Sequence, residues 1–504
     1  MGRLAFAIVA ILIQLFWLVG LLSRLGQAFP WVNGIITVAA IAIALAIYSR
    51  KMNAAMKLPW MMLIIVLPVL GIVLYALIGL NGATRRMKKR FTIIDRQLFP
   101  LMPQDGQVLE TLDEKDRIQA NQSRYLLFHM GYPVYQETDI RYFPWASEGL
   151  EAQLADLKQA KDFIFMEYHA IEDAESFAMI YRILRQKVTE GLDVRLFYDD
   201  MGSIGFINKE FRKKMEAQGI QCRVFNPMGP VINVFMNHRD HRKMTIIDGK
   251  VGFVGGYNLA NEYFNVTHPY GIWKDTGMRL EGKAVTSLTL TFLEMWNAVR
   301  GSDKDDTEFR KFLPKAACKG EGKAYIQPYA DTPIDNEHVG ENVYMNILNS
   351  AQDYVYFVTP YLIITDEMNR AFALAARRGI DVRIVTPGIP DKKAIYRITR
   401  SYYGRLVDNG IRIFEYTPGF CHAKQCVSDD KTAICGTINL DYRSLYHHFE
   451  NGVLVHDETF ATTMREDFED MFLECREVTE DYRQNRARRM RLFDLILRLF
   501  APLL

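Results

Sequence analysis

Cysteine is scarce and scattered. The 504 residues hold six, at Cys222, Cys318, Cys421, Cys426, Cys435 and Cys475, without the regular spacing of a disulfide framework. That excludes a stapled secreted scaffold and points to reduced thiols in a cytoplasmic domain. An excess of one charge is missing too: 61 basic and 59 acidic residues leave a net +2, so local clusters carry more information than the sum. No small-residue cleavage site follows the first apolar run, which argues against a removed signal peptide. Cys421, His422 and Cys426 are residue types that bind zinc. The stretch reads more simply as a hairpin, with "AKQCVS" and "TAICG" as strands around "DDK" and small thiols filling a core. No metal and no cofactor are expected.

Long uncharged runs, by contrast, are plentiful near the N-terminus. Residues 4–22, 31–48 and 59–80 are apolar stretches of membrane-spanning length, the second being borderline. Three such runs within 80 residues predict a multi-pass anchor over 1–90, followed by a linker over 91–145. Arg50, Lys51 and Lys57 lie between the second and third runs, and Arg85, Arg86, Lys88, Lys89 and Arg90 follow the third. The denser second cluster places the body of the protein on the cytoplasmic side, although three spans then leave the smaller cluster outside. At the other end, residues 481–504 combine Arg483, Arg486, Arg488, Arg489 and Arg491 with Leu492, Phe493, Leu495, Ile496, Leu497, Leu499 and Phe500. This reads as a basic amphipathic helix on an anionic membrane surface, with a helix docked on the protein's own core as the alternative.

The chain also repeats itself. "HRKMTIIDGKVGFVGGYN" (241–258) and "HAKQCVSDDKTAICGTIN" (422–439) share His, Lys, Asp, Gly and Asn at identical offsets, 181 residues apart. Upstream, "DFIFMEYHAIED" is echoed by "DYVYFVTPYLIITD", "EGLDVRLFYD" by "RGIDVRIVTP" and "GIQCRVFNP" by "GIRIFEYTP". These runs are rich in β-branched and aromatic residues, and helical periodicity lies between them. Two duplicated α/β domains follow, over 146–315 and 316–480, and a pseudo-two-fold would bring both motifs to one seam.

In a strand, His241 and Lys243 share a face, as do His422 and Lys424. Two imidazoles, two ammonium groups and the amides of Asn258 and Asn439 together suit a tetrahedral anion, for which phosphate is the obvious candidate. One imidazole can attack phosphorus while the other, protonated, donates to the leaving oxygen, with no metal required. Asp248 and Asp429 complete the six-residue catalytic motif set, but near hairpin turns they are expected to brace the backbone rather than move protons. Asp275 in "WKDTG" and Glu450 in "HFENG" follow the motif histidines by 34 and 28 residues. A carboxylate bonded to one ring nitrogen would fix the tautomer of each histidine.

The duplicated HxKxxxxD with downstream Gly and Asn resembles the phospholipase D superfamily, and the chain is similar to bacterial cardiolipin synthases within it. The resemblance rests on "NHRDHRKMTIIDGKVGFVGGYNLANEY", "VTPYLIITDEM", "RSYYGRLVDNGIRIFEYTPGFCHAK" and "GTINLDYRSLYHHFEN", and covers nearly the whole chain. It implies that His241 is the nucleophile and His422 the acid/base, that Lys243, Lys424, Asn258 and Asn439 hold phosphate, and that Asp275 and Glu450 orient the imidazoles. One departure is Gly256, which has no hydroxyl to offer the phosphate, where Thr437 has one. The implied reaction moves a phosphatidyl group from one phosphatidylglycerol to another in the plasma membrane, releasing glycerol. Partners would be anionic membrane lipids, with a homo-oligomer left open and no nucleic acid. A hydrolytic phospholipase D, a phosphatidylserine synthase, a superfamily nuclease and a silent membrane scaffold are the rival readings.

Overall fold

Each half of the chain builds one mixed sheet from the β-rich runs of its sequence. The computed structural model describes residues 29–76, 82–102, 104–208, 210–227, 237–299, 306–314, 320–335, 337–484 and 497–499, with a few isolated positions near the two ends. The first half contributes β1 (Thr138–Phe143), β2 (Phe163–Tyr168), β3 (Asp193–Asp199), β4 (Gln221–Phe225), β5 (Arg239–Asp240), β6 (Lys243–Ile247), β7 (Val251–Gly255), β8 (Ile272–Lys274) and β9 (Gly277–Gly282). The second half contributes β10 (Tyr325–Asp331), β11 (Tyr354–Val358), β12 (Leu362–Ile363), β13 (Asp381–Pro387), β14 (Arg412–Tyr416), β15 (Gly419–Cys421) and β16 (Gln425–Ser428). It continues with β17 (Thr432–Gly436), β18 (Leu440–Asp441), β19 (His448–His456) and β20 (Cys475–Glu477).

The two sheets have one topology. The first runs β1-β9-β7-β6-β2-β3-β4 and the second β10-β19-β17-β16-β11-β13-β14, with β20 added at its edge. In each, three strands pair in parallel through helical crossovers and the rest pair antiparallel. The central strand "FIFMEY" is buried along its whole length, as a strand covered on both faces must be. Helix Val285–Ala298, buried nearly all round, lies against this sheet and stacks Phe292 on Phe165 at 4.7 Å. One hydrophobic core runs through both halves, joining Phe165, Phe292 and Met278 to Val427, Val453 and Phe468. The halves therefore pack as one body, and the hairpins that carry the motifs meet inside it.

The fold revises several expectations. Residues 91–145 are not a plain linker: they hold helices Gly106–Lys115 and Arg117–Met130 and then β1, the counterpart of β10. The repeat begins earlier than its hydrophobic signal because β1 is an edge strand with half-exposed residues. The second apolar run forms helix Pro30–Tyr48, in which Trp31–Tyr48 is long and apolar enough to cross a membrane. The third is not one continuous span: helix Ala54–Val66 ends at Leu67 and helix Pro68–Leu74 begins immediately after it. Proline at that position supplies no backbone N–H for the preceding turn, so the ladder breaks there. Most of the first run and most of the C-terminal tail lie outside the described residues. Of the tail, Leu497 packs against the second-half core, Arg498 bonds the Ser401 carbonyl and Ala501 is buried, so these residues dock on the protein itself.

Candidate active site

Two short cross-over pairings build the seam. β5 of the first half pairs in parallel with the start of β19 of the second, and β15 of the second pairs in parallel with β8 of the first. Each pairing ends at a motif histidine. The backbone N–H of His241 donates to the Phe449 carbonyl at 2.8 Å, and that of His422 donates to the Lys274 carbonyl at 2.7 Å. A buried bidentate pair, Arg239 with Asp199, holds β5 in position; its shortest contact is 2.7 Å.

Phe449 and Lys274 each precede an acid, so this register decides which carboxylate meets which imidazole. The pairs cross between halves. His241 Nδ1 lies 2.9 Å from both carboxylate oxygens of Glu450, and His422 Nδ1 lies 2.6 Å from Asp275 Oδ2. All four groups are buried. With Nδ1–H donated to a carboxylate, Nε2 is the free nitrogen of each ring. Neither half contains a complete pair, so the site exists only when both halves are folded together.

The lysines stand beside the histidines as the two-residue offset requires. Lys243 Nζ donates to the His241 carbonyl at 2.5 Å, and Lys424 Nζ donates to the His422 carbonyl and lies 2.7 Å from His422 Nδ1. Burial draws the Lys243 ammonium down to about 7 and that of Lys424 down to about 8. Burial and the neighbouring Lys424 press His422 down to about 3, and burial with Lys243 holds His241 well below its usual range. For Asp275, burial opposes ionisation, but Lys424 and His422 outweigh it and keep the carboxyl below the ordinary range. The result is two neutral imidazoles and a pair of easily discharged ammonium groups, a pocket in which an anion relieves the repulsion.

Other predicted residues fall in different places. Asn258 lies near the seam but accepts the Ala170 N–H and donates to the Tyr263 hydroxyl at 2.8 Å; Asn439 donates to Asp441 at 3.3 Å and leaves its buried Oδ1 without a partner. Thr437 does not present a free hydroxyl to a phosphate. Its Oγ1 donates to Glu450 Oε2 at 2.5 Å, because the residue is fully buried behind that carboxylate. Gly256, its counterpart, has no room for a side chain: a Cβ there would come within 2.1 Å of Asp275 Oδ1. Asp248 and Asp429 are not brought to the imidazoles. They sit at the far ends of the hairpins in the left-handed region, φ 54° and 56°, and each accepts three backbone N–H groups from the start of the neighbouring central strand.

Four residues beside the histidines had no place in the sequence reading. His169, at the C-terminal end of β2, sets its ring 4.9 Å from that of His241 and holds its Nδ1 2.6 Å from the Asp240 carbonyl. His448 lies 5.3 Å from the His241 ring and 6.4 Å from that of His169, so the three imidazoles cluster. Around His422 stand Tyr263 and Trp273, each 5.3 Å away. His169 follows a buried strand at the position where open α/β sheets bind ligands, a signal present in "MEYHA". His448 stood in plain view in "YHHFEN", but nothing in the sequence separates it from a core histidine. His241, His448 and Glu450 offer donor atoms within 4.8 Å of one another and could ligate a cation, although the adjacent Lys243 ammonium competes for that place.

A duplicated α/β fold that delivers one imidazole from each half to a common seam defines a phospholipase D-like enzyme. The model of the family described as cardiolipin synthase, PLD-like domain, matches residues 154–296 and 344–472, and the model described as phospholipase D-nuclease N-terminal matches residues 35–79. A cardiolipin synthase 2 of Bacillus anthracis is 33% identical over 93% of this chain and 90% of its own length. An uncharacterised protein of Streptococcus mutans is 39% identical over 92% of this chain and the whole of its own. The phosphatidylserine synthase structure from Haemophilus influenzae shares the fold, with a TM-score of 0.57 at 14% identity, over 77% of this chain and 97% of that one. The chain belongs to the cardiolipin synthase family of the phospholipase D superfamily, and is a phospholipid phosphatidyltransferase of that family.

Proposed function

We propose that the chain joins two phosphatidylglycerol molecules into cardiolipin at the bacterial plasma membrane, through a phosphohistidine and with release of glycerol. The crossed pairs His241–Glu450 and His422–Asp275 are the observation that carries this reading. The phosphate of the first lipid sits between the Lys243 and Lys424 ammonium groups, with Asn258 and Asn439 beside it. Nε2 of His241 attacks phosphorus as the bond to the glycerol oxygen breaks, and that oxygen takes the proton of His422. A second phosphatidylglycerol then gives its hydroxyl proton to His422, its oxygen bonds phosphorus, and the bond to His241 breaks.

The phosphodiester charge offsets the repulsion between the ammonium groups and draws the His422 pKa upward, so the acid is formed when substrate binds. The apolar N-terminal segment keeps the body at the interface where both substrates reside, with the catalytic halves on the cytoplasmic side. The test uses purified protein in vesicles of head-group-labelled phosphatidylglycerol, following lipid products and glycerol beside the His241→Ala variant. Cardiolipin appearing in step with glycerol, and absent in the variant, is the expected result. Phosphatidic acid in its place would make water the acceptor and the enzyme a hydrolase.

A further inference from the structure

The third apolar run turns back before it could cross a bilayer. Helix Ala54–Val66 has 13 residues and so rises only about 20 Å, against a hydrocarbon core of about 30 Å. At Leu67 the chain reverses. Gly71 of the next helix then lies so close to the first that a Cβ on it would meet Ile64 Cα at 2.6 Å, an approach that only glycine permits. Farther on, Tyr75 packs edge-on against Trp60 with ring centroids 5.5 Å apart, and the Arg50 guanidinium lies 5.6 Å from the Tyr75 ring. The returning helix of the hairpin thus comes back toward the turn that precedes it.

That preceding turn is held by the catalytic body. Asn53 Nδ2 donates to Glu367 Oε2 at 3.2 Å and to the Tyr446 hydroxyl at 3.3 Å, and Met56 is buried in the second-half core with Tyr344 and Ile363. On the other side of the hairpin, helix Gly82–Leu98 also lies on the body, burying Phe91, Ile94 and Leu98 in the first core. Both flanks of the hairpin therefore rest on the catalytic body. Its tip points away with apolar side chains uncovered: Ile65 is 59% exposed, Val66 69% and Leu67 48%. They continue the apolar surface of helix Pro30–Tyr48, where Ile35, Val38, Ile41 and Leu45 are also exposed.

We propose that Ala54–Leu74 is a re-entrant helical hairpin that enters the bilayer from the face occupied by the catalytic halves, and that lipid acyl chains cover its tip. Charge supports this occupant. Arg50, Lys51 and Lys57 on one flank and Arg85 to Arg90 on the other then share a single anionic interface, whereas three full spans would put the first cluster on the opposite side. The hairpin would hold the seam at a fixed height above lipid head groups. The inference rests on the membrane reading given above.

Native lysines test it without altering the chain. Lys51, Lys89 and Lys161 are all exposed. Sealed vesicles carrying the full-length protein would be treated with a membrane-impermeant amine-reactive ester and the modified lysines mapped by mass spectrometry. Lys51 is expected to react from the same face as Lys89 and the body residue Lys161, at least tenfold more than from the other face. Lys51 reacting only from the face opposite Lys161 would overturn the hairpin and restore a full span. Release of the protein by alkaline carbonate would overturn the membrane reading, and the hairpin with it. As a second measurement, Asn53→Cys and Glu367→Cys are expected to cross-link in membranes with a short bifunctional thiol reagent, and a chain that crosses after residue 53 could not do so.

Discussion

The two halves place His241 and His422 on equivalent backbone and then surround them differently. Beside His241 stand His169, His448 and the Arg239–Asp199 pair, while beside His422 stand Tyr263, Trp273 and Phe420. The contrast is position for position: His448 and Trp273 occupy equivalent places in β19 and β8, as do Arg239 and Phe420 in β5 and β15. One imidazole therefore works in a polar setting and the other against an aromatic wall. Duplication supplied two equivalent imidazoles, and under the proposed mechanism their unlike neighbours would divide the labour between them.

Replacing the histidines one at a time tests that division most severely. His241→Gln and His422→Gln should each lower cardiolipin formation by about 10⁴-fold, the scale expected when a nucleophile or its proton partner is lost. They should differ in what accumulates. With phosphate-labelled phosphatidylglycerol, rapid acid-free quenching of His422→Gln should retain label on the protein, since attack can proceed slowly while the acceptor goes undeprotonated. His241→Gln should retain none. Label retained only by His241→Gln would exchange the two roles.

The next effect concerns the unequal supports of the carboxylates. Gly256→Ser should push Asp275 away from His422 and cost up to about 10⁴-fold in kcat, the scale seen when an orienting acid is lost in other histidine-carboxylate pairs. Thr437→Val is nearly isosteric and removes only the hydroxyl donated to Glu450, so a loss of about 2 kcal/mol, roughly thirtyfold, is expected. Equal losses in the two variants would mean that the halves are functionally symmetric after all. Steady-state assays on phosphatidylglycerol vesicles would read both.

The lysines sharpen the comparison further, because burial depresses Lys243 to about 7 and Lys424 to about 8. An ammonium whose pKa has fallen is charged below that pH and neutral above it. The charge that draws the phosphodiester in is therefore present on the acid side and lost as pH rises. On this basis kcat/KM should fall roughly tenfold per pH unit above about pH 7 and more steeply above about pH 8. The nucleophile sets no limit on the acid side down to about pH 5, since burial and Lys243 hold His241 well below its usual range and keep it unprotonated. A profile flat through pH 9 would mean that the lysines remain charged and that the imidazoles alone set the pH dependence.

Much of this was legible in the chain. The repeated offsets single out the candidate residues, because two stretches keep His, Lys, Asp, Gly and Asn while changing nearly everything between them. Alternating and continuous apolar runs likewise mark β2, β3, β11 and β13. What spacing could not convey is long-range register. Asp275 follows His241 and Glu450 follows His422, yet each carboxylate serves the other half's histidine, a fact set by β5 against β19 and β15 against β8. Nor could composition distinguish an apolar run that crosses a membrane from one that turns back at Leu67, because both need the same residues.

Asp248 and Asp429 give the smallest effect and the control on all the others. Each closes its hairpin at a left-handed φ and accepts N–H groups from three successive residues, Lys161 to Phe163 in one half and Gln352 to Tyr354 in the other, at 2.7 to 3.0 Å. Alanine at either position loses the acceptors and sits poorly in that backbone region, for about 2 kcal/mol of stability. Asparagine tolerates the conformation and keeps one acceptor oxygen, so it should cost about half as much. Thermal unfolding should therefore order each pair as aspartate, asparagine, alanine, and by similar steps in the two halves. Activity per folded molecule should be unchanged at low temperature. A drop in kcat without a drop in stability would return these carboxylates to the chemistry, whereas matched losses of stability would show that the halves are alike in their scaffolding and differ only at the seam.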